Sequence, residues 1–144
     1  MACLMKLKDQ GKIRAIGVSN VTLEELKENV ETGEVSTNQF RYSMLFRNPE
    51  KDALPYCREN DIATLTYMSL EQGLLTGKVT DKYDCTLAQL VIAWTAAQPG
   101  VTHVLCGARR LSQIVDNAAA GDLEIAPPDL QRIRSEVEAL GEPA

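Results

Sequence analysis

Gly11-Lys12-Ile13-Arg14-Ala15-Ile16-Gly17-Val18-Ser19-Asn20 decides how the whole chain is read. Ile13 to Val18 is a short, mostly apolar run that follows a glycine and ends in two small polar residues, and it reads as a buried strand. Gly11 is placed to end a helical stretch from Ala2 to Gln10, because glycine takes the left-handed backbone of a helix C-terminus without steric cost. Beyond Asn20, Thr22 stands three residues before Glu25 at capping-box spacing. Leu23, Leu26 and Val30 then follow at helical intervals until Gly33.

The same unit recurs outward from that stretch. Val35 to Phe40 reads as a strand, and Asn48-Pro49 opens a helix with Asn at the cap and Pro in the first turn, its apolar side made by Ala53, Leu54 and Cys57. Ile62 to Tyr67 is a third strand. Leu87, Leu90, Val91 and Trp94 fall at i, i+3, i+4 and i+7, a buried helix face that ends before Pro99-Gly100. Val101 to Cys106 is the fourth strand, a helix follows over Leu111 to Ala120, and a last helix starts at Pro127-Pro128 with Leu130, Ile133, Val137 and Leu140 on one face. Strands joined by helical crossovers run parallel, and their apolar character predicts that both faces of the sheet are covered. A doubly wound sheet and half of a (β/α)8 barrel both fit this α/β pattern.

Composition narrows the function classes. The chain has 144 residues, 44% hydrophobic and 24% charged, with a formal net charge of −5. That is room for one core, and the acidic balance argues against nucleic acid and anionic membranes as partners. Cys3, Cys57, Cys85 and Cys106 contain no Cys-x-x-Cys pair and are joined by one histidine, so no metal site is expected and the thiols are read as reduced and structural. The longest apolar stretch, Leu87 to Ala97, is too short to span a bilayer, and Met1 to Leu7 does not read as a secretory signal. A cytoplasmic location is expected by default.

Four strings carry a family resemblance. Gly11 to Asn20 resembles the fifth-strand signature of the aldo-keto reductases, NADPH-dependent (β/α)8 barrel enzymes. Thr37-Asn38-Gln39-Phe40 with Tyr42 looks like that family's sixth strand. Tyr67 to Lys78, with Gly73-Leu74-Leu75-Thr76-Gly77-Lys78, looks like the seventh, and Gly107-Ala108-Arg109-Arg110 through Asn117 like the eighth. The resemblance implies a four-stranded parallel half of a (β/α)8 TIM barrel with flanking helices, the carboxy-terminal half, since a complete barrel needs roughly 250 residues. Complete members carry a long loop after the seventh strand, and here it is expected to shrink to Val79 through Cys85.

The same resemblance distributes the chemistry. Family members draw a catalytic Asp, Tyr, Lys and His from the amino-terminal half, so no catalytic residue is expected here, and neither His103 nor Tyr42, Tyr56, Tyr67 or Tyr83 stands in that context. Cofactor-binding residues are expected instead. Ser19, Asn20 and Gln39 would pair with the nicotinamide carboxamide, and Tyr67 would stack on its ring, followed by Met68-Ser69-Leu70 where relatives often have Ser-Pro-Leu, with Leu70 in the cofactor set. Gly107, Arg109 and Arg110 precede a helix whose N–H groups, with two guanidiniums, would meet phosphate. Gln113, Asp116 and Asn117 share one face of that helix, as do family residues that contact the adenosine part.

The resulting expectation is a truncated aldo-keto reductase-like chain that keeps part of an NADP(H)-binding surface, binds the cofactor weakly, and does not reduce carbonyls alone. The alternatives are a non-catalytic self-assembling module and one piece of a complete NADPH-dependent carbonyl reductase. An open half-barrel exposes two strand edges and an inner face expected to be apolar, which predicts a homodimer or other homo-oligomer, or capture of a missing amino-terminal half-barrel.

Overall fold

A computed structural model of the protein describes residues 1–70 and 78–139. In chain order it contains α1 (Ala2–Asp9), β1 (Gly17–Ser19), α2 (Leu23–Thr32), β2 (Thr37–Arg41), a 3-10 turn (Asn48–Lys51), α3 (Ala53–Glu59), β3 (Ala63–Tyr67), α4 (Lys78–Tyr83), α5 (Leu87–Ala96), β4 (His103–Val104), α6 (Leu111–Ala119), a second 3-10 turn (Ala120–Asp122) and α7 (Pro127–Ala139). The four strands form one parallel sheet in the order β1-β2-β3-β4, flanked by helices as in half of a (β/α)8 barrel. Leu140, expected on the face of α7, and Gly73 to Gly77 lie outside the described residues.

Local signals account for most boundaries. Gly11 sits at φ +68 just past α1, and Thr22 and Glu25 form the expected capping box, Glu25 N–H donating to Thr22 Oγ1 at 3.2 Å and Thr22 N–H to Glu25 Oε2 at 2.8 Å. At Gly17 a Cβ would collide with the Thr37 hydroxyl, so a larger residue there would require the Thr37 side chain to turn away. The strands are shorter than expected. β1 covers three residues rather than Ile13 to Val18, because pairing begins only where Ser36 N–H reaches the Ile16 carbonyl at 2.8 Å. β4 has two residues rather than six. Beneath it Thr102 Oγ1 accepts from Thr64 N–H at 2.7 Å and donates to the Thr64 carbonyl at 2.5 Å, so a side chain replaces the ladder there.

Two helical expectations are corrected. Asn48-Pro49 starts the 3-10 turn rather than capping a helix, and the chain breaks at Asp52, whose carboxylate accepts from Ala53 N–H at 2.5 Å and starts α3 afresh. Within the segment expected as a reduced loop stands α4. Its Lys82 Nζ and Tyr83 hydroxyl both donate to Asp129 Oδ2 at 2.5 Å, and Tyr83 Oη accepts from Ala126 N–H at 2.9 Å, docking α4 on the start of α7. These donors hold the Asp129 carboxyl below the usual range.

The sheet is buried on one face, not on both. Asn38, Phe40, Thr64 and Thr66 point toward the helices and are buried, whereas their neighbours Thr37, Gln39, Arg41, Ala63, Leu65 and Tyr67 are half-buried on the other side. That second face is mixed rather than apolar, because strands with period-two alternation put threonine, glutamine and arginine where a continuous apolar run would have put aliphatics. The main core lies under α5, where Leu90, Val91 and Trp94 pack with Met44, Ile133 and Val137. Trp94 is fully buried and its indole N–H donates to the Leu130 carbonyl at 3.3 Å. Beside it, Arg134 donates to both Glu50 oxygens at 2.7 and 3.0 Å, and the Tyr42 hydroxyl donates to Glu50 at 2.6 Å. Burial pushes the Glu50 carboxyl up, but Arg134 and Tyr42 more than offset it and leave it below the usual range; burial and Glu50 together push the Tyr42 phenol well up.

Candidate functional site

Parallel strands present their carboxyl ends on one side of the sheet, and the loops that leave those ends bring distant residues together. Ser19 is in register with Gln39, Gln39 with Leu65, and Leu65 with His103, so these four residues form one row across the sheet. One step further along, Arg41 is in register with Tyr67. Asn20 leaves β1 at φ +54, a left-handed conformation that asparagine tolerates. Its N–H donates to the Gln39 carbonyl at 2.8 Å, and its Oδ1 accepts from the Tyr67 hydroxyl at 2.8 Å.

Ser19, Asn20, Gln39 and Tyr67 are therefore brought together, three of them by main-chain register or bonds and the fourth by a bond that spans 47 positions of sequence. The phenol is committed to Asn20, which fixes the Tyr67 ring and leaves the Asn20 amide nitrogen as a donor. The Ser19 hydroxyl and the Gln39 side-chain amide have no hydrogen-bond partner among the described residues, and both residues retain solvent exposure. An unpartnered hydroxyl, an amide donor and a complete amide are what a planar carboxamide needs, since it presents one acceptor oxygen and one donor nitrogen. Leu70 stands apart from this group: its side chain packs against the core under α5.

A second cluster starts α6. Arg109 and Arg110 are exposed and have no ion-pair partner among the described residues. Their own backbone N–H groups are occupied. Both donate to Gln113 Oε1, at 2.8 and 3.1 Å, which ties the approach to α6 and leaves the two guanidiniums exposed beside the helix start. Asn117 Nδ2 donates to the Gly107 carbonyl at 3.3 Å, which ties the loop to α6. Asp116 accepts from Gln89 Nε2 at 2.9 Å and lies 3.4 Å from Thr86 Oγ1, which ties α6 to α5. Gln113, Asp116 and Asn117 do share the expected stretch of helix, each engaged by a protein partner.

Sequence reasoning passed over Arg41 and considered His103 only to set it aside as catalytic. The two-residue alternation of β2 was the available signal for Arg41, because it sets this cation on the face of Gln39 and opposite Tyr67. Among the described residues no group of three or more His, Cys, Asp or Glu side chains is arranged to hold a metal ion, and no helix is long and apolar enough to cross a membrane. All four cysteines are free.

A sequence profile described as the Aldo/keto reductase family matches residues 1–84 and 78–138. The NADH-specific methylglyoxal reductase of Escherichia coli (strain K12) is 33% identical over 174 residues, covering 97% of this chain and 53% of that protein. Since 174 aligned positions exceed 144 residues, that relative carries additional residues within the aligned stretch. The thermostable aldo-keto reductase Tm1743, solved with the inhibitor epalrestat, superposes with a TM-score of 0.84 at 26% identity over 93% of this chain and 52% of its own. An aldo/keto reductase from Klebsiella pneumoniae, solved with NADP and acetate, gives a TM-score of 0.81 at 29% identity over 97% and 52%. The chain thus spans about half the length of the relatives it matches, and with the profile covering nearly all of it and the sheet superposing on solved members, it belongs to the aldo/keto reductase family.

Proposed function

We propose that this chain is the carboxy-terminal half of an aldo/keto reductase barrel that keeps part of an NADP(H)-binding surface and does not reduce carbonyls by itself. The observation that carries the reading is the Tyr67–Asn20 hydrogen bond, which joins Tyr67 at the end of β3 to the group that Ser19, Asn20 and Gln39 form through strand register and main-chain bonds. With Asn20 Oδ1 occupied, Asn20 Nδ2 and the Ser19 hydroxyl would donate to a carboxamide oxygen, and Gln39 Oε1 would accept from its nitrogen. The Tyr67 ring, held by its own hydroxyl, gives the nicotinamide a flat surface to stack on. Arg109 and Arg110 would hold the phosphates, with Gly107 and Leu70 contributing main chain and Gln113, Asp116 and Asn117 shaping the adenosine end. When bound, the dinucleotide supplies hydride.

Hydride arriving at a carbonyl leaves an alkoxide that needs a proton. The Tyr67 hydroxyl is engaged in a hydrogen bond to Asn20 Oδ1 and its ring would serve for stacking, so Tyr67 would not be the acid beside the reacting oxygen. The full reaction then requires the complementary half-barrel, and the chain acts as one piece of a reductase or as an inactive relative of one, in the cytoplasm. A second cofactor reading follows from the Escherichia coli relative, which is named as specific for NADH.

Titration of NADPH and NADH by cofactor fluorescence tests both. Tighter binding of NADPH, weakened by Arg109→Ala or Arg110→Ala, is the expected result, alongside no oxidation of NADPH with a panel of aldehydes. Tighter binding of NADH, insensitive to the arginines, transfers the reading to NADH, and equal binding of both favours the non-catalytic self-assembling module. No binding of either at millimolar concentration removes the cofactor function.

A further inference from the structure

Helices beside the two free strand edges are packed unlike the rest. α5, inside the fold, buries Leu90 through Thr95, while α1, which leads into the β1 edge, and α6, which follows the β4 edge, bury no residue at all. α6 is exposed over most of its surface, and its large aliphatics Leu111, Ile114 and Val115, at i, i+3 and i+4, are 77%, 54% and 64% exposed. Leu4 on α1 is 41% exposed and Leu105, just past β4, is 41% exposed. Large aliphatics exposed together on one helix face signal a surface that is covered in the working molecule.

The charges at these two flanks are opposite. From Ala2 to Ile16 there are four bases, Lys6, Lys8, Lys12 and Arg14, against one acid, Asp9. From Leu111 to Glu124 there are three acids, Asp116, Asp122 and Glu124, and no base. Polarity of the chain also sets their height. Lys12 and Arg14 precede β1, and Asp122 and Glu124 follow the far end of α6, so both groups lie toward the amino-terminal side of the sheet, and all four residues are exposed. A parallel contact between the β4 edge of one molecule and the β1 edge of another brings them to the same level.

We propose that two copies of this chain join head to tail, β4 of each against β1 of the other, to close an eight-stranded parallel ring, with the Leu111–Ile114–Val115 stripe of each α6 against α1 of its partner. Four strands are half of the eight that such a barrel needs, so two identical contacts close the ring and leave no free edge. Edges of three and two residues offer few ladder bonds, so the helical stripe supplies most of the attraction and the Lys12/Arg14–Asp122/Glu124 charges set the direction. This rests on the half-barrel reading above but not on cofactor binding.

Light scattering and sedimentation of the full chain at tens of micromolar test it. The expected result is a dimer whose dissociation constant rises roughly a hundredfold in Ile114→Asp, where a charge would enter the contact. The pair Asp122→Lys with Glu124→Lys weakens it about fivefold to tenfold, and adding Lys12→Glu with Arg14→Glu to the same chain restores it. All these positions are exposed in the single molecule, so helicity by circular dichroism stays unchanged; if Ile114→Asp loses helicity, the charge swap alone decides. A monomer, an open series of larger species, or a dimer indifferent to both the stripe and the charge swap overturns the proposal. So does a monomer that pairs only with an amino-terminal half-barrel from a relative. Loss of NADPH binding with the dimer intact would instead break the cofactor reading and leave this one standing.

Discussion

α5 and α6 are consecutive helices of similar length, ten and nine residues, yet one buries six side chains and the other none. The difference is not in apolar content alone, since α6 carries Leu111, Ile114 and Val115. What differs is the neighbourhood: α5 lies between the sheet and α7, while α6 touches α5 on one flank and leaves its apolar stripe exposed. A hydrophobic pattern declares that a face will be covered, and the rest of the fold decides whether the same molecule covers it.

The strongest way to break this comparison is at its buried side. Trp94→Ala removes a fully buried indole and its bond to Leu130, and we expect a loss of about 3–5 kcal/mol in denaturant unfolding. A loss under half of that would mean α5 is not the centre of the core. Next comes the chemistry at the start of α6, where Arg109→Ala with Arg110→Ala is expected to cost ~1.5–3 kcal/mol of NADPH affinity, read by titration, with unfolding unchanged because both side chains are exposed.

The joint between the two helices should give a smaller effect. Asp116→Ala removes the acceptor for Gln89 and is expected to cost about 1 kcal/mol in unfolding. Smaller still is acid loosening of the α4–α7 clasp. Because Lys82 and Tyr83 depress the Asp129 carboxyl in the folded protein, its contribution is present above the ordinary carboxylate pKa and fades as pH falls through the lowered folded value. Asp129→Asn should abolish that acid dependence, with proteolytic cleavage at α4 as the readout. Smallest of all, Ile114→Ala in dilute protein should shift unfolding by less than about 0.5 kcal/mol. A loss approaching that of Trp94→Ala would show that α6 is buried after all.

How much was legible depended on how local the cause was. The Thr22–Glu25 capping box, the stop at Gly11, and the Leu90–Val91–Trp94 face were readable because each is set within a turn or two of the chain. β4 was overcalled because Val101 to Cys106 is apolar, and nothing in that run announces that the Thr102 hydroxyl takes over the ladder from a residue 38 positions away. α4 was missed because Lys78 to Tyr83 has no apolar period; what anchors it is Asp129 on a helix far along the chain. At the candidate site, the resemblance to the family singled out Ser19, Asn20, Gln39 and Tyr67, but the bond that fixes the tyrosine to the asparagine was not in the pattern.

The sequence by itself determined the alternation of strands and helices, the parallel direction of the strands that crossovers require, and which short polar stretches lie at strand ends, because periodicity, caps and turn residues act over a few positions. Only the tertiary structure decided which face of the sheet is buried, that Gln113 occupies the N–H groups of Arg109 and Arg110, and that the stripe on α6 is left uncovered. Those outcomes depend on which groups compete for the same donor or the same surface once distant segments meet, and that competition is settled by geometry in three dimensions.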